Sequence, residues 1–455
     1  MRAGGGINKV QDSQAASALA AKISSRQACV GVIGLGYVGL PLASAVTGAQ
    51  FQVLGFDVNQ DRVTRINGGH SPIGSVSDAK IAKMRDGNLF EATADFTRLR
   101  DADIILICVP TPLNIYREPD LSFVEDSARA IARSLRPGQL VILESTTYPG
   151  TTDEVMRPIL EENGLRSGAD FFLAYSPERE DPGNPQFNTS DIPKVVGGDG
   201  AAACDLACAF YECFVPGVVP VSSAATAEAV KLMENIFRSV NIALVNELKH
   251  VYASMGVDIW EVIDAAKTKP FGFMPFYPGP GLGGHCIPID PFYLTWKARE
   301  YDVPTRFIEL AGEINSRAPH LVVERLVREL SDRKGMGARG ARILMLGVAY
   351  KKNVDDMRES PALVLMQQLE RRGAQVDYYD PHVPTLSVTR AHRELAGRTS
   401  VAWDIAAFAN YDAALICTDH DGVDYAALVD AVTLVIDTRN ATAGVTENRD
   451  RIVRA

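Results

Sequence analysis

Residues 29–39 read CVGVIGLGYVG, a short apolar run that leads into three glycines at fixed spacing. The apolar run predicts a buried strand, and residues 40–47 continue with the pattern of a helix. In such a strand, turn and helix, Gly34 makes the tight turn, Gly36 admits a pyrophosphate, and Gly39 lets the helix pack closely on the strand. The pattern predicts a dinucleotide-binding turn.

An acidic residue at the end of the next strand strengthens this prediction. Residues 52–56 form a second apolar run that ends in Asp57. A carboxylate at that position bonds the ribose hydroxyls of the cofactor and repels a 2′-phosphate, so we expect NAD rather than NADP. Tyr37 and Val38 belong to the same turn and are assigned to the cofactor site.

Further strands alternate with helices along the first half of the chain. Residues 103–109 and 140–143 are strand-like, and each run ends in a polar, proline-bearing loop. Ligands of open parallel sheets collect beyond the carboxyl ends of the strands. Thr111 and Thr147, which lie in these loops, are therefore candidates for the cofactor side, although a helix-capping threonine is the alternative for each.

The pattern changes to long helices over 228–254, 259–266 and 305–332, and a second α/β unit begins after a basic, glycine-rich linker at 334–340. Its first turn, 347–360, lacks the GxGxxG spacing, so we do not expect it to bind a second NAD. The predicted fold class is α/β, with two doubly wound Rossmann-like domains joined by a long helical connector. The predicted boundaries are a mobile tail over 1–27, an NAD-binding domain over 28–221, a central helical domain over 222–333 and a nucleotide-binding domain over 334–455.

Composition limits the classes of function. The 455 residues carry a net charge of −10, which argues against nucleic acid or an anionic membrane as the main partner. No apolar run has the length of a membrane span, and no signal peptide is apparent, so a cytoplasmic protein is expected. Seven cysteines without CxxC pairs indicate neither a disulfide framework nor a zinc site, and no metal is expected.

One cysteine lies in an unusual setting. Within residues 276–291, prolines and glycines alternate over 278–281, Gly283 and Gly284 follow, and Cys286 then lies before Pro291 and a predicted helix over 292–300. The glycines allow close backbone approach to a ligand, and the helix start favours a thiolate, the reactive form. A buried structural cysteine in a turn is the alternative.

The segment GLGGHCIPIDPFYL resembles the active-site segment of the nucleotide-sugar 6-dehydrogenases, which oxidise the C6 hydroxymethyl of a UDP-sugar to a carboxylate. The resemblance extends over about 30–440. It implies that Cys286 forms thiohemiacetal and thioester intermediates, and that the second α/β domain binds the UDP-sugar. Residues 175–184, YSPEREDPGN, resemble the family's SPER loop; without the resemblance they would be interpreted as a solvated loop.

The resemblance also implies the roles of individual residues. Thr147 helps to hold a catalytic water, Glu178 acts with water in thioester hydrolysis, and Asp290 orients or activates the thiol or water. Lys231 and Asn235 share one helix face and stabilise an oxyanion at C6. The cofactor set gains Arg62 and Arg358, and the substrate set consists of Glu178, Arg179, Glu180, Lys231, Asn235, Phe276, Tyr277, Gly283 and Lys351.

The loops at 144–152 and 175–184, with Arg179 and His285, resemble the bacterial branch that acts on UDP-N-acetylhexosamines. We expect UDP-N-acetylglucosamine as the best substrate; the manno and galacto epimers and UDP-glucose stay open. A two-electron 2-hydroxyacid dehydrogenase and a non-catalytic nucleotide-sugar sensor are the rival classes. Apolar faces on the helical connector suggest a dimer or a larger homo-oligomer.

Overall fold

The computed structural model describes residues 14–74, 76–114, 116–179, 191–284, 287–389 and 391–455. The chain divides into two compact units. The first runs to Glu234 and includes Trp296–Asp302, and the second comprises Asn235–Thr295 and Val303–Ala455.

The first unit is built on one large, mostly parallel sheet. Its strands are β1 (Cys29–Ile33), β2 (Gln52–Phe56), β3 (Phe90–Thr93), β4 (Ile104–Ile107), β5 (Leu140–Leu143), β6 (Phe172–Tyr175), β7 (Lys194–Gly198) and β8 (Val218–Pro220). In space the order is β3-β2-β1-β4-β5-β6-β7-β8, and only the β6–β7 pair is antiparallel among the paired strands described. The order reverses between β1 and β4, which is where open sheets of this kind bind ligands.

Helices cover both faces of this sheet. They are α1 (Gln14–Ser24), α2 (Gly39–Gly48), α3 (Gln60–Asn67), α4 (Asp78–Asp86), α5 (Ser122–Ala132), α6 (Arg157–Glu161), α7 (Ala201–Tyr211) and α8 (Ala224–Ser254), the last of which continues into the second unit. Successive strand residues point to opposite faces. Val32 therefore packs in the core that contains Leu40 of α2, whereas Ile33 packs in the core that contains Ile131 of α5.

The predicted mobile tail is wrong for the described part of that segment. Residues 14–24 form α1, because Ala16, Leu19 and Ile23 share one helix face and are buried in the core of the first unit. The helix is also fastened by Lys22, whose ammonium lies 2.8 Å from Asp103 Oδ1. Residues 1–13 lie outside the described residues.

The second unit begins with helices and ends with a parallel sheet. The helices are α9 (Ile259–Ala266), α10 (Asp290–Ala298, of which residues 296–298 belong to the first unit), α11 (Arg306–Lys334), α12 (Pro361–Arg371), α13 (Ile405–Phe408) and α14 (Tyr425–Ala431). The strands are β9 (Arg342–Leu346), β10 (Gln375–Tyr379), β11 (Ala413–Ile416), β12 (Val435–Asp437) and β13 (Ile452–Arg454). The strand order is β10-β9-β11-β12-β13, all parallel. Alternate residues of β9 face two separate cores, as in the first unit.

The prediction of two doubly wound α/β sheets with a helical connector is confirmed. The boundaries predicted for the three domains stay a prediction. Within the described ranges, no helix combines the length and the apolarity needed to cross a bilayer.

Candidate active site

The glycine turn after β1 has the geometry of a dinucleotide site. Gly34 has φ +91°, and a Cβ there would lie 2.6 Å from the Cys108 carbonyl oxygen. A Cβ at Gly39, where α2 begins, would lie 1.9 Å from the Gly34 carbonyl oxygen. At Gly36, no atom of the other described residues, apart from its chain neighbours, lies within 4 Å of that position, so this side of the turn is open to a ligand. These glycines fit the pyrophosphate of NAD at the start of a helix.

Asp57 holds this turn in place. The side chain is buried, and its carboxylate accepts hydrogen bonds from Leu35 N at 3.0 Å, Asn59 N at 2.9 Å and Arg62 Nη1 at 2.9 Å. A carboxylate has about four acceptor positions. Asp57 therefore retains an acceptor position for a ribose hydroxyl, and Arg62 is placed beside it, which fits NAD.

Thr147 lies in the loop beyond β5 and is fully buried. Its hydroxyl oxygen has no hydrogen-bond partner among the residues that the structure describes. A buried hydroxyl without a partner is costly, and such groups in native proteins usually bond a water or a ligand. This is the environment expected for a threonine that holds a catalytic water. Thr111, in the loop beyond β4, is also buried.

Sequence reasoning did not identify Glu228, which fastens α8 to the Thr147 loop. Its fully buried carboxylate accepts from Gly150 N at 2.6 Å, from Thr152 N at 2.9 Å and from Thr152 Oγ1 at 2.7 Å. Burial raises the pKa of Glu228 to about 7 despite these hydrogen bonds. An acid in the first turns of a helix has no distinguishing mark in the sequence, because the three groups that donate to it lie on a distant loop.

Glu178 and Lys231 meet at the loop beyond β6. Lys231 is buried, and its ammonium donates a hydrogen bond to the backbone carbonyl oxygen of Glu178. Arg179 is held by Glu234, with Nη2 and Oε1 2.6 Å apart, and donates to the Pro193 carbonyl oxygen at 2.7 Å. The loop is thus attached to α8 at two points. Glu180 lies outside the described residues.

A buried ion cluster supports the same loop. The Lys194 ammonium contacts the Glu144 carboxylate and lies 3.4 Å from Glu178 Oε2, and the Tyr211 hydroxyl donates to Glu144 at 2.5 Å. Burial raises the pKa of Glu144, and the Lys194 ammonium opposes that shift. Neither Glu144 nor Lys194 was predicted as a site residue, since each looks like the end of an apolar strand in sequence.

In the second unit, Asn235 and Asp290 form a direct pair. Asn235 Nδ2 donates to Asp290 Oδ2 at 2.6 Å, and both side chains are buried. Asp290 is the first residue of α10, where a carboxylate is favoured by the helix dipole. His285 and Cys286 lie outside the described residues, so the placement of the thiol stays a prediction.

The glycines before Cys286 are explained by packing within the protein. A Cβ at Gly283 would lie 2.7 Å from Tyr350 Cβ, and one at Gly284, where φ is +82°, would lie 2.9 Å from the Tyr350 ring. A Cβ at Gly279 would lie 2.7 Å from Arg439 Nη1. These described glycines let the loop approach other parts of the second unit, in addition to the ligand approach that the sequence suggested.

Two aromatic residues that were assigned to the substrate site pack on neighbouring helices. Phe276 lies edge to face with Phe237 of α8, with ring centroids 5.7 Å apart. Tyr277 stacks on Trp260 of α9 at 5.4 Å and donates to Asp264 Oδ1 at 3.1 Å. Tyr277 keeps part of its surface exposed.

In both sheets, an aspartate at the end of a neighbouring strand accepts hydrogen bonds from the backbone of the first turn. Asp380, at the end of β10, accepts from Val348 N at 2.7 Å and from Ala349 N at 3.1 Å, as Asp57 accepts from Leu35 N. The turn at 347–360 lacks the GxGxxG spacing, yet an aspartate carboxylate holds its backbone as Asp57 holds the first turn. Beyond it, Arg358 is held by Asp356, with Nη2 and Oδ2 2.7 Å apart, and Lys351 is partly exposed.

Comparison with known proteins gives one consistent family. The chain matches the UDP-glucose/GDP-mannose dehydrogenase family in its NAD binding domain over residues 28–215, its central domain over 225–317 and its UDP binding domain over 344–444. It is 38% identical over 356 residues to a UDP-N-acetyl-D-glucosamine 6-dehydrogenase of Pseudomonas aeruginosa, covering 78% of this chain and 83% of that protein. It is 37% identical over 406 residues to a UDP-N-acetyl-D-mannosamine dehydrogenase of Salmonella typhi, covering 86% and 93%.

Among solved structures, a UDP-D-ManNAc dehydrogenase from Pyrococcus horikoshii aligns with a TM-score of 0.83 at 33% identity, covering 94% of this chain and 98% of that chain. The three matched domains follow one another along the chain in the same order as the first sheet, the central helices and the second sheet. The chain therefore belongs to the UDP-glucose/GDP-mannose dehydrogenase family and is an NAD-dependent oxidoreductase of UDP-sugars.

Proposed function

We propose that the protein oxidises the C6 hydroxymethyl of a UDP-N-acetylhexosamine, with UDP-N-acetylglucosamine as the best substrate, to the corresponding uronic acid. One observation carries the proposal: Lys231 is bonded to the Glu178 carbonyl oxygen beside the loop that holds Thr147. A buried cation, a carboxylate and a hydroxyl that has no partner among the described residues thus lie at the carboxyl ends of β5 and β6, where ligands of such sheets bind.

Each assigned residue has a chemical task. The two oxidations use two NAD molecules in succession, and each NAD, when bound, supplies the acceptor for one hydride from C6. The Cys286 thiolate adds to the C6 aldehyde to give a thiohemiacetal, which is oxidised to a thioester. Lys231 and Asn235 stabilise the oxyanions that form at C6. Water then adds to the thioester carbon while Glu178 takes its proton, and the C–S bond breaks to release the acid and the thiolate.

The relatives reported above support the N-acetylhexosamine class, since they are named for UDP-N-acetylglucosamine and UDP-N-acetylmannosamine. The gluco epimer is proposed from the resemblance of the loops at 144–152 and 175–184. A site built for the acetamido group leaves polar partners unpaired when glucose binds, at about 1–3 kcal/mol each.

Stoichiometry and a substrate panel test this proposal. We expect two NADH per product, whereas a 2-hydroxyacid dehydrogenase gives one and a sensor gives none. Among UDP-sugars, kcat/KM should be highest for UDP-N-acetylglucosamine, followed by its manno and galacto epimers. A kcat/KM for UDP-glucose that equals or exceeds every UDP-N-acetylhexosamine would contradict the substrate class and leave the dehydrogenase activity standing.

Asp57 should set the cofactor preference. Asp57→Ala removes the charge that repels a 2′-phosphate and the acceptor that bonds the ribose, so the ratio of kcat/KM for NAD to that for NADP should fall about tenfold or more. Because Asp57 also bonds Leu35 N, Asp57→Asn serves as the control that keeps an acceptor beside the turn. Equal kcat/KM values for NAD and NADP in the unsubstituted enzyme would refute this assignment.

We also propose self-association. Phe237, Leu244 and Val251 lie seven residues apart on α8 and expose large apolar side chains. Residues at this spacing lie on nearly one face of a helix, and a monomer rarely leaves such a stripe uncovered. The stripe supports a dimer or a larger homo-oligomer.

A further inference from the structure

A buried ion cluster in the first unit contains Glu178 together with three residues that have no task in the reaction as described so far. It consists of Lys194 on β7, Glu144 beyond β5, Glu178 beyond β6 and Tyr211 on α7. Lys194 is 3% exposed, Glu144 1% and Tyr211 0%. Burying these groups is costly, and a hydrophobic replacement is often at least as stable, so stability alone does not explain the cluster.

The Lys194 ammonium lies between the two carboxylates. It contacts Glu144 Oε2 most closely, lies 3.4 Å from Glu178 Oε2 and donates to the Pro177 carbonyl oxygen at 3.3 Å. The other oxygen of Glu178, Oε1, accepts from the Arg179 backbone N–H at 2.7 Å. Lys194 therefore contacts both the backbone and the side chain of the loop that carries Glu178.

The charges in the cluster compete. Burial alone lowers the pKa of Lys194, but Glu144 and Glu178 outweigh burial and raise that pKa above its usual value, so the group stays an ammonium. One ammonium thus lies between two carboxylates in a buried site. Within the part of the chain that the structure describes, the groups that face Glu178 also include the buried Cys108 thiol, the Lys231 ammonium on its carbonyl oxygen, and Arg179.

We propose that Lys194 is a positioning residue that keeps Glu178 ionised and aimed for thioester hydrolysis, and that Glu144 limits this effect by competing for the same ammonium. The inference rests on the proposed function, in which the Glu178 carboxylate takes a proton from the attacking water. Protonated Glu178 cannot accept that proton, so the hydrolysis rate rises with pH as Glu178 ionises. A nearby cation moves this rise to lower pH, and a nearby anion moves it to higher pH.

The test measures acyl-enzyme hydrolysis in single turnovers as a function of pH, using intact-protein mass spectrometry to follow loss of the adduct. Lys194→Met should move the half-maximal pH upward by about one unit or more, because an opposite charge within hydrogen-bonding range is removed. Glu144→Gln should move it downward, because Lys194 then serves Glu178 alone. Lys194→Arg should keep the half-maximal pH near that of the unsubstituted enzyme.

The half-maximal pH should move in opposite directions in Lys194→Met and Glu144→Gln. Structural damage would lower the rate in both variants without producing these opposite displacements. Lys297→Met is the matched control, since Lys297 is a buried lysine held by Glu154 and Glu300, and it should leave the half-maximal pH unchanged. If Lys194→Met does not fold, the half-maximal pH of Glu144→Gln still tests the proposal, because it should be lower than that of the unsubstituted enzyme.

The experiment distinguishes failure of the role proposed for Lys194 from failure of the covalent mechanism. An unchanged half-maximal pH in Glu144→Gln, or displacements in the same direction in both variants, would overturn the role of Lys194 while acyl-enzyme still forms. Absence of any acyl-enzyme in the unsubstituted protein during turnover would instead overturn the covalent mechanism itself.

Discussion

Replacing Cys286 by serine is expected to lower steady-state turnover by about 10⁴-fold or more, while NAD and UDP-sugar still bind. A serine hydroxyl is not ionised at neutral pH, so it cannot capture the C6 aldehyde as the thiolate does. The expected readouts are loss of NADH production and nearly unchanged dissociation constants for both ligands, measured by calorimetry.

A second cysteine provides the control for that experiment. Cys204 on α7 is a half-buried thiol with no assigned role, and a hydrogen bond with Cys208 lowers its pKa. Cys204→Ser should keep nearly full turnover. Turnover close to that of the unsubstituted enzyme in Cys286→Ser would refute the covalent mechanism, whatever the Cys204 variant does.

Glu178→Gln is expected to slow release of the acid by about 10²–10⁴-fold, because an amide cannot take the proton of the attacking water. Both oxidations precede this step, so we expect a burst of two NADH per active site followed by slow turnover. Intact-protein mass spectrometry should detect the accumulated acyl-enzyme. The variant keeps the size of the side chain, and Lys231 bonds the backbone carbonyl oxygen of residue 178, so the loop should keep its attachment to α8.

Glu300→Gln is the matched control, since Glu300 is an ion-paired carboxylate of the same unit, 2.7 Å from Lys297 Nζ, and has no assigned role. It should show neither the burst nor the adduct. Unimpaired turnover of Glu178→Gln without a trapped adduct would remove Glu178 from the hydrolysis step and direct attention to Asp290 and Thr147.

Local patterns were sufficient for most of the fold. The strand at residues 29–33, the glycine turn and α2 follow from an apolar run and glycine spacing, because each depends on residues close in sequence. The helix α9 was predicted at the bounds that the structure has. The expected tail failed at α1, because a short Ala-rich helix becomes stable only when Leu19 and Ile23 find a core built by distant residues.

The candidate site residues also fall into those that local sequence features indicate and those that only the structure reveals. Gly34, Gly36, Gly39, Asp57 and the loops that carry Thr147 and Glu178 could be proposed as site residues from the sequence, because motif spacing and strand ends are local features. Glu228, Asp380 and Lys194 could not be assigned, since each acts on partners that only the folded sheet brings near. Lys194 is 50 residues from Glu144 in the chain, yet their charges touch in the core. A buried charge leaves no periodic pattern in the sequence. The free energy of burying it depends on which groups replace its water, and only the tertiary structure determines those groups.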